Sequence, residues 1–263
     1  MLKHQVKKRA QELKDAQMQL IQAEKMKSIG RLAAGVAHEV KNPLAIIQMG
    51  SDFLSQEIKG NEVAEDVIKD IDDAVHRADT VIRGLLDFSR DEKLNRKPLN
   101  INKIIENSLH MVSHEMHQRS IEVKTYLADN LADIELDENK LQQVFINLFM
   151  NSAHAMHQNG EITVSTRFKI LTSQSDLVRD REHQFKIGET VLVVEVADTG
   201  PGISDEDRDK IFDPFYTTKP VGEGTGLGLS VTRNIVNLHE GSIDICNRDD
   251  GGASVLMMFK QYN

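Results

Sequence analysis

Several features that would place a protein in a special class are scarce or absent in this chain of 263 residues. It has one cysteine, Cys246, which excludes an internal disulfide framework and a cysteine-based zinc site and favours a reducing compartment. No apolar run approaches the roughly 18 residues of a membrane span, and the first residues lack the apolar core of a signal peptide. We therefore expect a cytoplasmic protein with no membrane segment in this chain, although a longer parent protein could have one.

Positively charged residues are fewer than negatively charged ones. The chain carries 32 Lys and Arg against 41 Asp and Glu, a formal net charge of −9. Binding to a phosphate backbone requires a basic surface, so nucleic acid is not an expected partner. The hydrophobic share of 40% and the charged share of 28% are typical of a folded protein, and the length suits two domains.

The first third of the sequence has helical periodicity. Residues 1–27 are rich in good helix formers and carry an imperfect heptad pattern, which predicts an N-terminal coiled-coil or signalling helix. Two further helical patterns, over residues 29–54 and 63–88, are separated by a short break, so they would form an antiparallel hairpin. Two helices cannot enclose a core alone. We therefore predict an all-α hairpin domain over residues 28–95 that forms a four-helix bundle as a homodimer.

The pattern changes to mixed helix and strand after a linker and hinge at Arg96-Lys97-Pro98-Leu99. A domain over residues 96–263 is expected to be an α/β sandwich rather than a βαβ repeat, because its strands come in adjacent pairs. The predicted helices cover residues 102–118, 137–157 and 227–238, with a small helical piece at 205–211. The predicted strands cover residues 121–127, 161–169, 189–197, 242–247 and 253–260.

Two glycine-rich segments flank a loop that is rich in glycine and proline. The first, Asp198-Thr199-Gly200-Pro201-Gly202-Ile203, ends a predicted strand, and the second, residues 222–230, runs directly into a helix. A glycine-rich turn at a helix N-terminus offers free N–H groups and a positive dipole end to a phosphate. It is not a Walker loop, because no Gly-Lys-Ser/Thr ends it, and by itself it is equally consistent with a flexible loop.

Five motifs, taken in order, resemble those of sensor histidine kinases over roughly residues 28–260. They are Ala37-His38-Glu39-Val40-Lys41-Asn42-Pro43-Leu44, Asn147-Leu148-Phe149-Met150-Asn151-Ser152-Ala153-His154-Ala155-Met156, the segment Asp198–Ile203, Phe212-Asp213-Pro214-Phe215-Tyr216-Thr217-Thr218-Lys219 and Gly224-Thr225-Gly226-Leu227-Gly228-Leu229-Ser230. Their detail is most similar to the nitrogen-regulator-like branch. The resemblance implies a histidine-phosphotransfer hairpin followed by an ATP-binding domain of the Bergerat (GHKL) fold.

The resemblance also implies a site for ATP and Mg²⁺ in the second domain. Asn151 would bind the metal through its amide oxygen, and Asn147, four residues earlier, shares its helix face. Asp198 would accept a hydrogen bond from the adenine amine, and Phe212 and Phe215 would anchor the loop with buried rings. The other nucleotide-binding residues implied in this way are His154, Gly200, Gly202, Ile203, Lys219, Gly224, Thr225, Gly226, Leu227, Gly228, Leu229 and Ser254.

His38 is the candidate phosphoacceptor. Glu39 could accept a hydrogen bond from one imidazole nitrogen and leave the other nucleophilic, and Pro43 weakens or bends the helix next to the site. The resemblance implies transfer from ATP to His38 and then to an aspartate of a response-regulator receiver domain. Asn42, one turn after His38, could orient a water for a phosphatase reaction, or it could only satisfy backbone groups that Pro43 frees.

Two other functions fit parts of the pattern. An ATP hydrolase of the same fold superfamily would need a glutamate to activate water, and Asn147 stands in that place. A degenerate dimeric scaffold would be expected to lack His38, Asn151, Asp198 or the glycines, and all are present. Radiolabelled ATP separates the three functions, because a kinase labels itself, a hydrolase releases phosphate and a scaffold does neither.

Overall fold

The computed structural model describes residues 40–56, 58, 61–89, 94–173, 176, 185–219 and 224–261. The predicted N-terminal helix over residues 1–27, together with His38 and Glu39, lies outside the described residues. The chain divides into two compact units with a boundary near residue 92. None of the described helices is long and apolar enough to cross a membrane.

In the part that the structure describes, the first unit is a pair of helices, α1 (residues 40–56) and α2 (Glu62–Ser89). Helix α1 continues through Pro43 without interruption in the described residues. Asn61 caps α2, since its Oδ1 accepts the N–H of Ala64 at 3.3 Å. Gln48 Nε2 on α1 donates to Asp72 Oδ1 on α2 at 3.1 Å, which links the two helices as the hairpin prediction requires.

Apolar residues of the hairpin fall into a buried row and an exposed row. Among the α2 side chains whose burial is described, the buried row has a seven-residue spacing and includes Ile68, Val75 and Ile82. The exposed row is larger and includes Ile46, Met49, Phe53, Val63, Val67 and Ile71. The hairpin of one chain therefore leaves much of its apolar surface in contact with solvent.

The second unit is a five-stranded sheet covered on one face by three helices. In chain order its elements are β1 (Lys97–Leu99), α3 (Ile101–Gln118), β2 (Ile121–Tyr126), β3 (Ile134–Leu136), α4 (Glu138–Met156), β4 (Gly160–Ile170), β5 (Thr190–Asp198), α5 (Gly228–Leu238), β6 (Ser242–Asn247) and β7 (Ala253–Lys260). The sheet order is β2-β4-β5-β7-β6. The predicted α/β sandwich is confirmed.

The core lies between the helices and the sheet. Helix α4 contributes Phe145 and Phe149, whose rings stack at 6.1 Å and are fully buried. Strand β5 is buried on both faces, because Leu171, Phe185 and Met258 cover Val191 and Val193 on the side away from the helices. Helices α3 and α4 begin at side-chain caps, where Asn100 accepts from Asn102 N and Asp137 from Lys140 N.

Three structural predictions differ from the structure. Strands β2 and β4 run parallel and are joined by a crossover that contains α4, so one βαβ unit is present where only adjacent pairs were expected. Residues 205–212 form consecutive turns rather than a helix. The predicted linker at residues 96–99 is mostly strand β1, which pairs antiparallel with β3.

The segment that precedes β1 is also bound to the second unit. The backbone N–H of Asn95 donates to Asp137 Oδ2 at 2.8 Å, and Arg96 pairs with Glu240 and donates to the carbonyl oxygen of Leu238. His239 accepts the N–H of Asp137 at its Nε2, 3.0 Å away, and its Nδ1 lies 2.8 Å from the carbonyl oxygen of Ile235. The predicted hinge at Arg96–Pro98 is therefore wrong, since backbone and side-chain hydrogen bonds fix these residues.

Candidate functional site

Helices α4 and α5 meet at the two asparagines and the glycine-rich segment. Asn147 Nδ2 donates to the carbonyl oxygen of Gly228, the first residue of α5, at 3.4 Å. A Cβ at Gly228 would lie 3.8 Å from Asn151 Nδ2. The structure therefore brings the two sequence motifs together at one place, the amino end of α5.

The amino end of α5 is suited to an anion. Its N-cap residue, Leu227, makes no side-chain capping hydrogen bond, and Leu227 N donates to Thr225 Oγ1 at 3.2 Å. The first N–H groups of a helix have no partner within the helix, and the helix dipole adds positive potential there. Gly228 and Leu229 are the first two residues of α5, so their N–H groups are among these donors.

Lys219 and His154 add basic groups near this end. Helical spacing places His154 on the same face of α4 as Asn147 and Asn151. Burial lowers the pKa of His154, and the charges of Lys219 and Arg119 lower this pKa further. Glu115 and the carbonyl of Met150 oppose this lowering of the pKa. The Nδ1 atom of His154 is buried and makes no hydrogen bond in the described structure. His154 is therefore neutral at pH 7.

The carboxylate of Asp198 is fixed by three hydrogen bonds. Oδ1 accepts the backbone N–H of Gly200 at 2.9 Å and of Ala253 at 3.2 Å, and Oδ2 accepts Ser152 Oγ at 2.9 Å. Asp198 is 8% exposed, so a further hydrogen-bond donor to its carboxylate must lie in a small buried region. A buried carboxylate with one oxygen still able to accept is suited to a neutral amine donor.

Close backbone packing at Asp198 depends on Gly252. Gly252 has φ +88°, and a Cβ there would lie 1.9 Å from the carbonyl oxygen of Asp198. Gly252, Ala253 and Ser152 were not predicted as site residues. The only sequence signal was that Ser152 adjoins Asn151 and Ala253 adjoins Ser254, because the contacts with Asp198 come from strands and helices far apart in the sequence.

Ser254 does not lie in this site. It pairs with Ala197 across β5 and β7, and side chains of paired residues share one face of a sheet. Asp198 is the next residue along β5 and points to the other face, towards α4. Ser254 Oγ donates instead to Glu195 Oε1 at 2.7 Å. The prediction that Ser254 lines the adenine site is wrong, and Ala253 is the β7 residue in contact with Asp198.

The two phenylalanines of the loop have different environments. Phe212 is buried, and the guanidinium carbon of Arg233 lies 5.4 Å from the centre of its ring. Phe215 is 51% exposed, so the prediction of a buried anchoring ring is wrong for it. Its backbone is what packs: Phe215 N donates to the carbonyl oxygen of Gly226 at 2.9 Å, and a Cβ at Gly226 would lie 2.3 Å from the carbonyl carbon of Phe215.

The same loop has a polar anchor. Tyr216 donates its hydroxyl hydrogen to Asp207 Oδ1 at 2.5 Å, a bond that raises the pKa of Tyr216 and lowers the pKa of Asp207. Gly224 lies against the loop as well, since a Cβ there would be 2.8 Å from Thr217 Oγ1 and 3.0 Å from Lys219 Cδ. These contacts bring Lys219, Gly224 and Gly226 to the same side of the domain.

The remaining predicted residues fall into two groups. Gly200, Gly202 and Ile203 form the segment that follows β5, and the backbone of Ile203 bonds to the side chain of Asn247. Asn42 is exposed on α1 in the first unit. Roles for His38 and Glu39 stay predictions, because neither residue lies in the described part of the chain.

Comparisons with protein families match the two units separately. A profile described as the His Kinase A (phospho-acceptor) domain matches residues 28–94. A profile described as histidine kinase-, DNA gyrase B- and HSP90-like ATPase matches residues 136–263.

Relatives match over most of this chain. Sensor histidine kinase ZraS of Salmonella typhi is 32% identical over 234 residues, which are 88% of this chain and 45% of that protein. Sensor kinase CckA of Brucella abortus (strain 2308) is 34% identical over 94% of this chain and 26% of that protein. The chain thus spans less than half the length of these relatives.

Solved structures share the fold. Histidine kinase ThkA in complex with the response regulator protein TrrA matches with a TM-score of 0.62 and 25% identity, over 91% of this chain and 64% of that chain. The nucleotide-free catalytic domain of ThkA matches with a TM-score of 0.52 and 28% identity, over 64% of this chain and 96% of that chain. The chain has a phospho-acceptor segment and an ATPase-like domain, in which the amide of Asn147 on α4 contacts the glycine-rich start of α5. It therefore belongs to the sensor histidine kinase family.

Proposed function

We propose that this chain is an ATP-dependent autokinase core that transfers the γ-phosphoryl group of ATP to His38 and then to an aspartate of a response-regulator receiver domain. The observation that carries the proposal is the convergence of Asn147, Asn151 and the amino end of α5 at Gly228, close to a buried carboxylate at Asp198. One end of this site, at Asp198, would bind the adenine base, and the other end, at the start of α5, would bind the phosphates.

The adenine end recognises its ligand by hydrogen-bond type. Asp198 Oδ2 accepts from Ser152 and can accept a second donor, which the adenine amino group would provide. A guanine carbonyl at that place would face a carboxylate oxygen, and two acceptors repel. The site therefore selects ATP over GTP through Asp198.

The phosphate end combines neutral and positive groups. The N–H groups at the start of α5, the ammonium of Lys219 and a single N–H of neutral His154 would hold the phosphate oxygens. The oxygen of Asn151 would hold Mg²⁺, and an amide fits this ion, which prefers oxygen ligands and keeps several waters and phosphate oxygens around it. Bound magnesium would neutralise charge that develops on the phosphates during transfer.

Transfer to His38 is a displacement at phosphorus. The unprotonated imidazole nitrogen forms a bond to the γ-phosphorus, the bond from this phosphorus to the β–γ bridging oxygen breaks, and ADP leaves. Glu39 would accept a hydrogen bond from the other ring nitrogen and keep the attacking one unprotonated. Positioning supplies most of the rate in such reactions.

Hydrolysis of ATP by a protein general base is the less favoured function. Asn147 occupies the place from which a glutamate would activate water, and its amide donates to the Gly228 carbonyl. An amide cannot take a proton from water at neutral pH. A dimeric scaffold without catalysis is also less favoured, because Asn151, Asp198 and the glycines occupy mutually consistent positions.

The hairpin would provide both the dimer interface and the phosphoacceptor. Its exposed apolar row would be buried against the same row of a second copy, in a four-helix bundle. The profile matches at residues 28–94 and 136–263 support a hairpin domain over residues 28–95 and an ATP-binding domain over residues 96–263. The ThkA structure, solved with a response regulator, supports a receiver domain as the second partner.

Self-labelling with γ-labelled ATP tests the kinase proposal. The full chain should acquire an acid-labile label, and His38→Ala should abolish it while ADP affinity stays within about twofold. His110→Ala, at an exposed position on α3, is the matched control and should keep the label. Residual acid-labile label in His38→Ala, or free phosphate with no labelled protein, would contradict the proposal.

A phosphatase activity toward the same regulator would depend on Asn42. Its exposure on α1 lets the amide reach a docked partner and orient a water. Asn42→Ala should slow dephosphorylation of the regulator much more than self-labelling, with Lys41→Ala as the neighbouring control. An equal fall in both rates would indicate that Asn42 only supports the helix next to Pro43.

A further inference from the structure

The end of β6 holds the segment that follows β5 through a side chain. Asn247 Oδ1 accepts the N–H of Ile203 at 2.7 Å, and Asn247 Nδ2 donates to the carbonyl oxygen of Ile203 at 2.7 Å. One amide thereby satisfies both backbone groups of one residue, as a neighbouring strand would. Ile203 is the last residue of the segment that begins at Asp198.

The close approach of this amide requires a glycine before Ile203. Gly202 has φ +78°, and a Cβ there would lie 2.8 Å from Asn247 Oδ1. Any other residue would push the amide away and adopt a strained backbone as well. The side chain of Asn247 and the absence of one at Gly202 therefore fit each other.

The turn after β6 holds the other end of the same segment. Arg248 Nη1 donates to the carbonyl oxygen of Asp198 at 3.4 Å, while its Nε and Nη2 donate to the carboxylate of Asp250 at 2.9 and 2.6 Å. Asp250 thus orients the guanidinium. The turn therefore contacts residue 198 at one end of the segment and residue 203 at the other.

Without these contacts the segment would have wide conformational freedom. It contains Gly200 and Gly202, and fixing the backbone of each residue has an entropic cost that a ligand would otherwise have to supply. Asn247 itself is exposed, so its loss removes little packing from the core. Loss of the amide should therefore affect ligand binding more than the stability of the domain.

We propose that Asn247 is a positioning residue for nucleotide binding, which holds the segment 198–203 in the conformation that presents Asp198 to the base. Asn247 acts through the backbone of Ile203 and touches no reacting atom. Gly202 permits this contact, and Arg248 supports the other end of the segment. The inference rests on the proposed nucleotide site and identifies a residue that determines the affinity of that site.

The test compares three variants of the full chain. Asn247→Ala removes both hydrogen bonds to Ile203. Asn247→Asp keeps an acceptor for the Ile203 N–H but places an oxygen against the Ile203 carbonyl. Asp249→Ala changes an exposed residue in the same turn and is the matched control. Calorimetry with Mg·ADP and thermal melting are measured on each protein.

Asn247→Ala should weaken ADP binding about tenfold, since two hydrogen bonds of ordinary strength are lost. Asn247→Asp should weaken it at least as much, and Asp249→Ala should stay within about twofold. In self-labelling, Asn247→Ala should raise the KM for ATP about tenfold and leave kcat within about twofold. A purely structural role would lower the melting temperature and kcat instead.

Three outcomes would overturn the inference. Unchanged ADP affinity in Asn247→Ala would show that the segment needs no support from β6. A fall in kcat and melting temperature with an unchanged KM would show a purely structural role. If the unmodified chain binds no adenine nucleotide, the proposed function fails and the inference fails with it, whereas the first two outcomes leave the proposed function intact.

Discussion

The two units of this protein differ in where their apolar side chains lie. In the α/β unit, the side chains of Phe145, Phe149 and Leu192 are fully buried by elements of the same unit. In the hairpin, Val63 is 74% exposed and Met49 is 71% exposed, and both lie on a row of similar residues. The α/β unit thus encloses its own core, whereas the hairpin leaves an apolar row exposed to solvent. Mutation of the core tests the stability of the α/β unit, and measurement of self-association tests the role of the exposed row of the hairpin.

The largest expected effect is on the self-contained core. Phe149→Ala removes a fully buried ring that stacks on Phe145 and should lower the free energy of unfolding of the α/β unit by about 3–5 kcal/mol. Phe215→Ala, at a half-exposed position of the same residue type, is the control and should cost less than about 1 kcal/mol. Denaturant unfolding of the full chain measures both. Equal losses would mean that the core does not determine the stability of this unit.

The next effect concerns association through the hairpin. Val67→Glu puts a charge on the exposed apolar row twice in each dimer and should raise the dimer dissociation constant by about a hundredfold. Lys69→Glu, two residues away on α2 and exposed, should change it much less. Sedimentation velocity over a concentration series gives the constants. A monomeric unmodified chain at micromolar concentration would contradict the four-helix bundle.

Asp198→Asn should weaken ADP binding about 10–100-fold, because a charge-assisted hydrogen bond to the base is lost. The fold should persist, since an asparagine oxygen can still accept the N–H groups of Gly200 and Ala253. Asp205→Asn, at an exposed position in the same region, serves as control. Calorimetry with ADP and GDP measures affinity and selectivity, and an unchanged ratio of the two would remove Asp198 from base recognition.

The smallest effect is a pH dependence of stability. Burial lowers the pKa of His239 below its ordinary value of about 6.5, and Arg96 lowers it further, while Asp137 and the Ile235 carbonyl oppose the shift. The folded protein thus favours neutral His239, whose Nε2 accepts from Asp137 N. The contribution of this pKa shift to stability is fully present above pH 6.5. It declines as the pH falls below that value, because the unfolded chain then binds a proton that the folded chain does not.

Thermal melting between pH 7.5 and pH 5.5 should show this decline in the unmodified chain. His239→Gln removes the titrating group, so its melting temperature should change less over the same interval. His110→Gln, at an exposed position, should keep the original slope. Identical slopes in all three proteins would show that His239 is not the group responsible.

Sequence periodicity predicted the regular elements well, and it failed for short or irregular ones. Helices α3, α4 and α5 and strands β2, β4, β5, β6 and β7 lie within two residues of their predicted ends. Strand β1 was interpreted as a linker because three residues that include a proline carry no periodic signal. The turns at residues 205–212 resemble a helix in composition, but glycines and prolines on both sides interrupt helical hydrogen bonding.

The candidate site was predictable where its residues belong to an identified motif. Asn147 and Gly228 belong to two of these motifs, but their contact became visible only in the structure. The partners of Asp198 on other elements were not predictable, since Ser152 and Ala253 are ordinary residues in a helix and a strand. The side of the sheet on which Ser254 lies depends on the register between β5 and β7, and a register has no local signature.

By itself the sequence determined the order of the longer elements, the family and the chemical types at the site, because these depend on local periodicity and on motifs within one stretch of chain. Only the tertiary structure decided which backbone groups surround Asp198, that Phe215 exposes its ring while its backbone packs on Gly226, and that Asn247 holds Ile203. These contacts join residues up to 55 positions apart. Strand register and close packing set such contacts, and both arise only when distant segments of the chain meet.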